Sequence, residues 1–126
     1  MIRIVCSLAL SMVLLACQQA KSINISAEKL KVLQKEGITV IDIRTNKEYA
    51  SGHIAGVTIN IDYLQDDFLE KMEAYDKDEP IIIHCAKGGR SGRAAALLLE
   101  SGFEVIYDYT GGFSDWKARG EEIAEE

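Results

Sequence analysis

The stretch that decides the fold reads Pro80-Ile81-Ile82-Ile83-His84-Cys85-Ala86-Lys87-Gly88-Gly89-Arg90-Ser91. Its first half is a continuous apolar run, which is typical of a central parallel strand buried on both faces. A turn with two glycines follows, and residues 91–101, rich in Ala and Leu, are predicted to form a helix that ends at Gly102. A buried strand that leads through a glycine turn into a helix indicates an α/β arrangement.

Strands and helices are predicted to alternate on both sides of this stretch. Upstream lie a helix capped by Ser26 and ended by Gly37, a strand at 39–43, a short helix at 46–50 and a strand at 57–61. Asp62 is expected to cap a further helix whose apolar positions are Leu64, Phe68, Leu69 and Met72. Downstream lie a strand at 104–107 and a short helix at 113–119. This alternation predicts an α/β fold around a mostly parallel sheet.

Cys85 is the candidate nucleophile. Ligands of parallel sheets bind beyond the carboxyl ends of the strands, where Cys85 falls. The two glycines allow backbone N–H groups to turn toward the sulfur, and the helix N-terminus adds partial positive charge. Lys87 and Arg90 place two cations in the same loop, and Arg93 follows one turn later. These features favour a thiolate and predict a small anionic substrate.

The composition of the chain indicates a globular domain and argues against nucleic acid and metal ions as partners. The chain has 126 residues, of which 48% are apolar and 27% charged, as expected for one globular domain. A formal net charge of −6 makes nucleic acid a poor partner, since phosphate contacts need clustered Lys and Arg. One Cys and two distant His in the predicted domain do not supply a metal site, and no cofactor is expected.

The N-terminus predicts export. Residues 4–15 carry no charge, and such a stretch is too short to cross a bilayer, which needs about 20 residues, but it fits the core of a secretory signal. Leu14-Leu15-Ala16-Cys17 resembles the lipobox of bacterial lipoproteins. We therefore expect a signal peptide at 1–17, lipid on Cys17, a tether at 18–25, and a periplasmic or other extracytoplasmic protein anchored to a bacterial membrane. Simple secretion and a buried N-terminal helix remain alternatives.

The positions of the three cysteines agree with a signal peptide at 1–17 that precedes a separate domain. Cys6 lies inside the expected signal, and Cys17 would be blocked by lipid. Cys85 is then the single free thiol of the mature domain. A lone Cys in an exported protein is either buried and inert or chemically useful.

The segment around Cys85 resembles the active-site loop of the rhodanese family. Further motifs stand in the order that family shows: Val40-Ile41-Asp42-Ile43-Arg44, Glu48-Tyr49, Gly52-His53-Ile54, and Gly111-Gly112-Phe113 through Trp116. The resemblance covers residues 26–120 and implies a central, mostly parallel sheet of about five strands flanked by helices. It implies a sulfurtransferase that carries sulfane sulfur from thiosulfate or a persulfide donor to cyanide or a thiol. One departure is Ala55, where many members have Pro.

The resemblance also implies roles for single residues. Cys85 would hold the persulfide, within a cradle formed by the loop Ala86, Lys87, Gly88, Gly89, Arg90 and Ser91. Arg90 and Lys87 would bind the oxygens of the donor. Asp42 and Arg44 are expected to have structural roles or to contact the residues that form the site. The expected domain is 26–120, followed by an acidic, solvated tail at 121–126, and a monomer is expected.

Several alternatives stay open. Cysteine phosphatases have five residues between Cys and Arg, whereas only four separate Cys85 from Arg90. A non-catalytic binding module and a protein-to-protein sulfur-relay carrier remain possible functions. Arg90 could have a purely structural role, with Asp42 as one possible partner. His53 and His84 are expected to be structural, and Tyr109 and Phe113 are candidates for the pocket mouth.

Overall fold

The computed structural model describes residues 19–125, in which strands and helices alternate as predicted. The strands are β1 (Lys21–Ile25), β2 (Thr39–Asp42), β3 (His53–Ile54), β4 (Ile59–Asn60), β5 (Ile81–His84), β6 (Val105–Tyr109) and β7 (Ile123–Ala124). The helices are α1 (Ala27–Lys35), α2 (Asn46–Ala50), α3 (Phe68–Met72), α4 (Gly89–Glu100) and α5 (Gly112–Ala118). The predicted α/β class is confirmed.

The main sheet has five strands in the order β1-β6-β5-β2-β4, and every neighbouring pair is parallel. Strand β5 lies in the centre, and all four of its residues are buried. Its continuous apolar sequence follows from this position, because both faces of a central parallel strand are covered. A second, two-stranded sheet pairs β3 with β7 in antiparallel orientation.

Two apolar layers cover the sheet, one on each face. Ile81 and Ile83 pack with residues of α3 and α4, whereas Ile82 packs with residues of α1 and α5. This division follows from the two-residue period of a strand, which sends alternate side chains to opposite faces. Each buried Ile contributes roughly 1.5–3 kcal/mol of hydrophobic free energy. Cys85 continues the α4 side of the sheet.

Helix starts follow local sequence signals in two cases. The Ser26 hydroxyl accepts a hydrogen bond from the Lys29 N–H at 3.2 Å and caps α1. Thr45 and Glu48 form a reciprocal capping box at the start of α2. Such caps satisfy backbone N–H groups that have no partner inside the helix.

The predicted start of α3 was wrong. The helix begins at Phe68 with Asp67 before it, and Asp62 does not cap it. The Asp62 carboxylate instead accepts a hydrogen bond from the Leu64 N–H at 2.9 Å, which closes a local turn. Leu64 is 59% exposed and is therefore not one of the core positions.

The ordered domain extends beyond residues 26–120 at both ends. Residues Lys21–Ile25, expected to lie in a tether, form β1 and pair with β6 over their whole length. Part of the expected acidic tail forms β7, and the Trp116 indole N–H donates to the Glu122 carbonyl at 2.8 Å. Backbone pairing holds these short segments, so neither boundary was visible in the local sequence.

The predicted signal peptide at 1–17, with Cys6, Cys17 and the lipobox, lies outside the described residues. Between residues 19 and 125, no helix has the length and hydrophobicity needed to cross a membrane.

Candidate active site

Cys85 lies at the carboxyl end of the central strand and is 1% exposed. Its Sγ accepts hydrogen bonds from the Gly88 N–H at 3.1 Å and the Ser91 N–H at 3.4 Å. Both donors come from the loop that leads into α4 and from the first turn of that helix. Two of the six predicted loop residues thus point their N–H groups at the sulfur.

The electrostatic environment favours the thiolate. Burial raises the pKa of the Cys85 thiol, but hydrogen bonds to the sulfur outweigh burial and hold the pKa below its ordinary value. These hydrogen bonds come chiefly from backbone N–H groups of the loop, and those of Ser91 and Gly88 lie within hydrogen-bond distance of the sulfur. A thiolate is the nucleophilic form of cysteine, so the site is suited to attack on an electrophilic atom.

Close backbone packing fixes the loop in place. Gly88 has φ 95° and Gly112 has φ 66°. A Cβ at Gly88 would lie 2.5 Å from the Thr110 carbonyl oxygen, and one at Gly112 would lie 2.5 Å from the Ala86 carbonyl oxygen. The Phe113 N–H also donates to the Cys85 carbonyl at 2.9 Å. The turn at Gly111-Gly112 after β6 therefore packs against the backbone of the Cys85 loop.

Arg90 is held by Glu48. Its guanidinium makes two bonds to that carboxylate, Nη1 to Oε1 at 2.7 Å and Nη2 to Oε2 at 3.0 Å. The hydrogen bond from Arg90 lowers the pKa of Glu48 to about 2, against the opposing effect of burial. The suggested structural partner Asp42 is therefore wrong, since Asp42 binds Arg44 instead. The Glu48–Arg90 pair ties α2 to the start of α4.

Lys87 and Arg93 are the exposed cations near Cys85. Within the described residues, neither makes an ion pair of the kind that Arg90 makes. A Cβ at Gly89 would lie 3.9 Å from the Arg93 Nη1, so the Arg93 guanidinium folds back toward the loop. These two side chains supply the uncompensated positive charge at the site.

Asp42 and Arg44 form a buried pair behind the site. The Arg44 Nη2 lies 2.7 Å from the Asp42 Oδ2 and donates to the Gly52 carbonyl at 2.7 Å. The guanidinium carbon lies 4.2 Å from the centre of the Phe113 ring. The pair links the end of β2 to α5 and to the residue before β3.

The two histidines are hydrogen-bonded side chains of the interior. His84 Nδ1 lies 3.0 Å from the Cys85 carbonyl, and its Nε2 lies 3.6 Å from the Asp42 Oδ2. Burial lowers the pKa of His84, opposed by the charge of Asp42. His53 Nδ1 lies 3.0 Å from the Tyr49 carbonyl, and the His53 ring stacks on that of Tyr49.

Tyr109 does not line the pocket mouth. It is 1% exposed, and its hydroxyl donates to Asp115 at 2.6 Å. Burial, together with this hydrogen bond, raises the pKa of Tyr109. Phe113 is half-buried and lies beneath the Arg44 guanidinium.

Sequence reasoning missed two carboxylates. Glu48 was noticed only as part of a motif, although it fixes Arg90. Asp108 lies on β6 opposite Ile83, is 2% exposed, and has no hydrogen-bond partner at its Oδ1. Its signal was an acidic residue continuing an apolar strand at 105–107. Over residues 19–125, no group of three His, Cys, Asp or Glu side chains could hold a metal ion.

The protein is an α/β domain with a parallel sheet, and the cysteine at the end of its central strand accepts hydrogen bonds from backbone N–H groups. The family model for the rhodanese-like domain matches residues 26–119. The chain belongs to the rhodanese-like domain family.

Named relatives agree with this assignment. The chain is 38% identical over 95 residues to the thiosulfate sulfurtransferase GlpE of Pseudomonas entomophila, covering 75% of this chain and 84% of that protein. It is 39% identical over 99 residues to the GlpE of Pseudoalteromonas translucida, covering 79% and 91%. The crystal structure of a rhodanese-related protein from Thermoplasma volcanium superposes with a TM-score of 0.69 at 29% identity, covering 82% and 99%.

Proposed function

We propose that the protein is a sulfurtransferase that moves sulfane sulfur from thiosulfate or a persulfide donor to a thiophilic acceptor through a persulfide on Cys85. One observation carries this proposal: the Cys85 Sγ lies within hydrogen-bond distance of the Gly88 and Ser91 N–H groups at the start of α4. Relatives named thiosulfate sulfurtransferase support the same chemistry.

In the first half-reaction, the Cys85 thiolate attacks the outer sulfur of thiosulfate. A sulfur–sulfur bond forms at Cys85, the sulfur–sulfur bond of the donor breaks, and sulfite leaves with the bonding electrons. The N–H donors of the loop stabilise negative charge on the sulfur throughout. The same hydrogen bonds lower the pKa of the Cys85 thiol and so favour its nucleophilic, ionised form.

In the second half-reaction, cyanide or a thiolate attacks the outer sulfur of the Cys85 persulfide. The bond between the two sulfurs breaks, its electrons return to the Cys85 Sγ, and thiocyanate or a new persulfide leaves. The thiolate is regenerated, so the cycle needs no external oxidant or reductant.

The charge at the site supports an anionic donor. Arg90 is compensated by Glu48, so we assign attraction of the donor to Lys87 and Arg93 and the positioning of the loop to Arg90. Cys85 is almost completely buried, which favours a donor with a slender, unbranched sulfur end.

The test is to incubate the purified full-length protein with thiosulfate and to measure its intact mass. We expect a gain of one sulfur atom that disappears when cyanide is added. The matched variant Cys85→Ser, which keeps Cys6 and Cys17, should show no gain while its circular dichroism spectrum stays native. No gain in the wild type, with Cys85 still open to alkylation, would contradict the proposal and favour a relay carrier or a binding module.

We further propose that the protein is exported and anchored to a bacterial membrane through lipid on Cys17. The sequence Leu14-Leu15-Ala16-Cys17 after an uncharged apolar stretch supports this location. The ordered domain begins within a few residues of Cys17, so the catalytic unit would lie close to the membrane surface.

A further inference from the structure

His84 places its imidazole on the face of the sheet opposite to the reactive sulfur. Two residues earlier on β5, Ile82 packs with the α1 and α5 side, and alternate residues of a strand share a face. Cys85 belongs to the α4 side. The His84 ring is fully buried, and its register partner on β2 is Asp42. The contact between His84 and Cys85 is therefore made through the backbone.

This contact determines which nitrogen of the ring carries a hydrogen. The His84 Nδ1 lies 3.0 Å from the Cys85 carbonyl oxygen. A carbonyl oxygen can only accept a hydrogen bond, so a bond of this length requires the hydrogen on Nδ1. The tautomer with its hydrogen on Nε2 alone would set two lone pairs against each other at this distance.

The other ring nitrogen, Nε2, is buried without a hydrogen-bond partner. The Asp42 Oδ2 lies 3.6 Å from it and already accepts from the Arg44 guanidinium at 2.7 Å. Tyr109, whose ring centre lies 6.3 Å from that of His84, donates its hydroxyl to Asp115. A charged imidazolium would carry a second N–H here, and a buried donor without a partner costs free energy. The geometry favours a neutral ring, and burial also lowers the pKa of His84.

Two donors hold the Cys85 carbonyl oxygen. The Phe113 N–H at the start of α5 donates to it at 2.9 Å, in addition to the His84 Nδ1. A carbonyl oxygen has two lone pairs, so these two bonds occupy both. The peptide group after Cys85 therefore cannot rotate without breaking them. That peptide group sets the direction in which the loop leaves β5, and with it the position of the N–H groups that donate to the sulfur.

We propose that His84 is a positioning residue whose neutral ring donates from Nδ1 to the Cys85 carbonyl and so keeps the N–H groups of the loop on the sulfur. This role rests on the proposed function of Cys85 as the reacting thiolate. No proton is transferred by His84, because its ring lies on the other face of the sheet and keeps its hydrogen on Nδ1 throughout.

Two amide variants separate the two ring nitrogens. The side-chain N–H of His84→Asn can take the place of Nδ1, whereas that of His84→Gln reaches the place of Nε2. The rate of Cys85 alkylation by iodoacetamide is measured against pH in the full-length protein. The rate is followed on the peptide that contains Cys85, so that the other two cysteines do not contribute.

In His84→Gln, alkylation below the pKa of the Cys85 thiol should slow roughly fivefold, and the curve should move to higher pH, because the sulfur loses stabilisation by the loop. In His84→Asn, the rate should stay within about twofold of the wild-type rate. A general loosening of the fold would have the opposite effect. It would expose Cys85, which is 1% exposed, and raise the rate at every pH.

His53→Gln is the matched control. The His53 Nδ1 lies 3.0 Å from the Tyr49 carbonyl, so this histidine makes the same kind of bond in the second sheet. Its replacement should lower stability in urea unfolding but leave the alkylation curve of Cys85 unchanged.

Nuclear magnetic resonance tests the tautomer in the wild type. The ¹⁵N chemical shift of each ring nitrogen reports whether that nitrogen carries a hydrogen. For His84 near neutral pH, we expect a protonated Nδ1 and a bare Nε2.

Either measurement can overturn the inference. A hydrogen on the His84 Nε2, alone or together with one on Nδ1, would show that the neutral Nδ1–H ring is wrong. A His84→Gln rate that is not below the wild-type rate, or a His84→Asn rate as slow as that of His84→Gln, would show that the donor does not position the loop. If either variant does not fold, the tautomer alone decides. Neither measurement uses a sulfur donor, so a failure of the proposed sulfur transfer would be seen separately.

Discussion

Glu48 and Arg90 show how a single pair of residues combines local and long-range roles. The Glu48 carboxylate closes the capping box of α2 with Thr45 and also binds both ends of the Arg90 guanidinium. The two residues are 42 positions apart in the chain. Because Arg90 lies between Gly88 and Ser91, whose N–H groups donate to the Cys85 sulfur, the pair fixes the position of the loop.

The pair predicts a loss of stability in acid. The pKa of Glu48 is lowered from 4.5 to about 2, so its contribution is fully present above pH 4.5 and is lost as the pH falls toward 2. Glu48→Gln keeps the capping box but loses the ion pair. Because solvent partly screens this pair, we expect the variant to be about 1 kcal/mol less stable at pH 7 and equal to the wild type near pH 2. Urea unfolding at several pH values measures this, and a difference that does not change with pH would contradict it.

At the scale of elements, the loop after β5 and the glycine turn after β6 act as one unit. Their backbones touch, since the Phe113 and Ser114 N–H groups donate to the carbonyls of Cys85 and Ala86. The reactive sulfur is therefore positioned by the neighbouring strand as well as by its own. This arrangement explains why two motifs that are separated in the sequence form one site.

Gly112 tests this contact between elements. Gly112→Ala would place a Cβ 2.5 Å from the Ala86 carbonyl oxygen at a φ of 66°. We expect a loss of at least about 2 kcal/mol of stability and slower alkylation of Cys85, because the loop must move. The matched control is Gly92→Ala in α4, where nothing lies within 4 Å of the added Cβ. That change should stabilise the protein by about 0.5–1 kcal/mol in urea unfolding. Equal effects of the two changes would contradict the prediction.

At the scale of the whole molecule, the ends of the described chain belong to the fold. Strand β1 completes one edge of the main sheet, and β7 pairs with β3 near α5. Lys31 of α1 binds Glu121 at 2.9 Å and fastens the same region. Few residues separate β1 from Cys17, so an anchor at Cys17 would hold the domain directly at a membrane.

Cys17 tests the proposed location. Cys17→Ser should move the protein from the membrane fraction to the soluble fraction, because stable attachment needs more than one acyl chain and all of them depend on this residue. Fractionation of cells followed by immunoblotting measures the distribution. Cys6→Ser is the matched control and should leave the protein in the membrane fraction. Retention of Cys17→Ser in that fraction would show that the lipoprotein interpretation is wrong.

The sequence by itself determined the features that depend on neighbours along the chain. The apolar run of β5, the cap at Ser26 and the glycine turn before α4 predicted the elements and their α/β class, because residue periodicity and backbone freedom act locally. The position of Cys85 at the end of the central strand followed from the same pattern. The motifs around it were enough to indicate the family.

Only the tertiary structure decided which side chains pair with each other and where the short strands form. Glu48 as the partner of Arg90, and the burial of Asp108 on β6, depend on which strands and helices become neighbours. The two-residue strands β3 and β7 have no recognisable pattern of their own and exist because each supplies the backbone partner of the other. Asp62 likewise formed a turn where a helix cap was expected, since its own carboxylate could satisfy the nearby backbone.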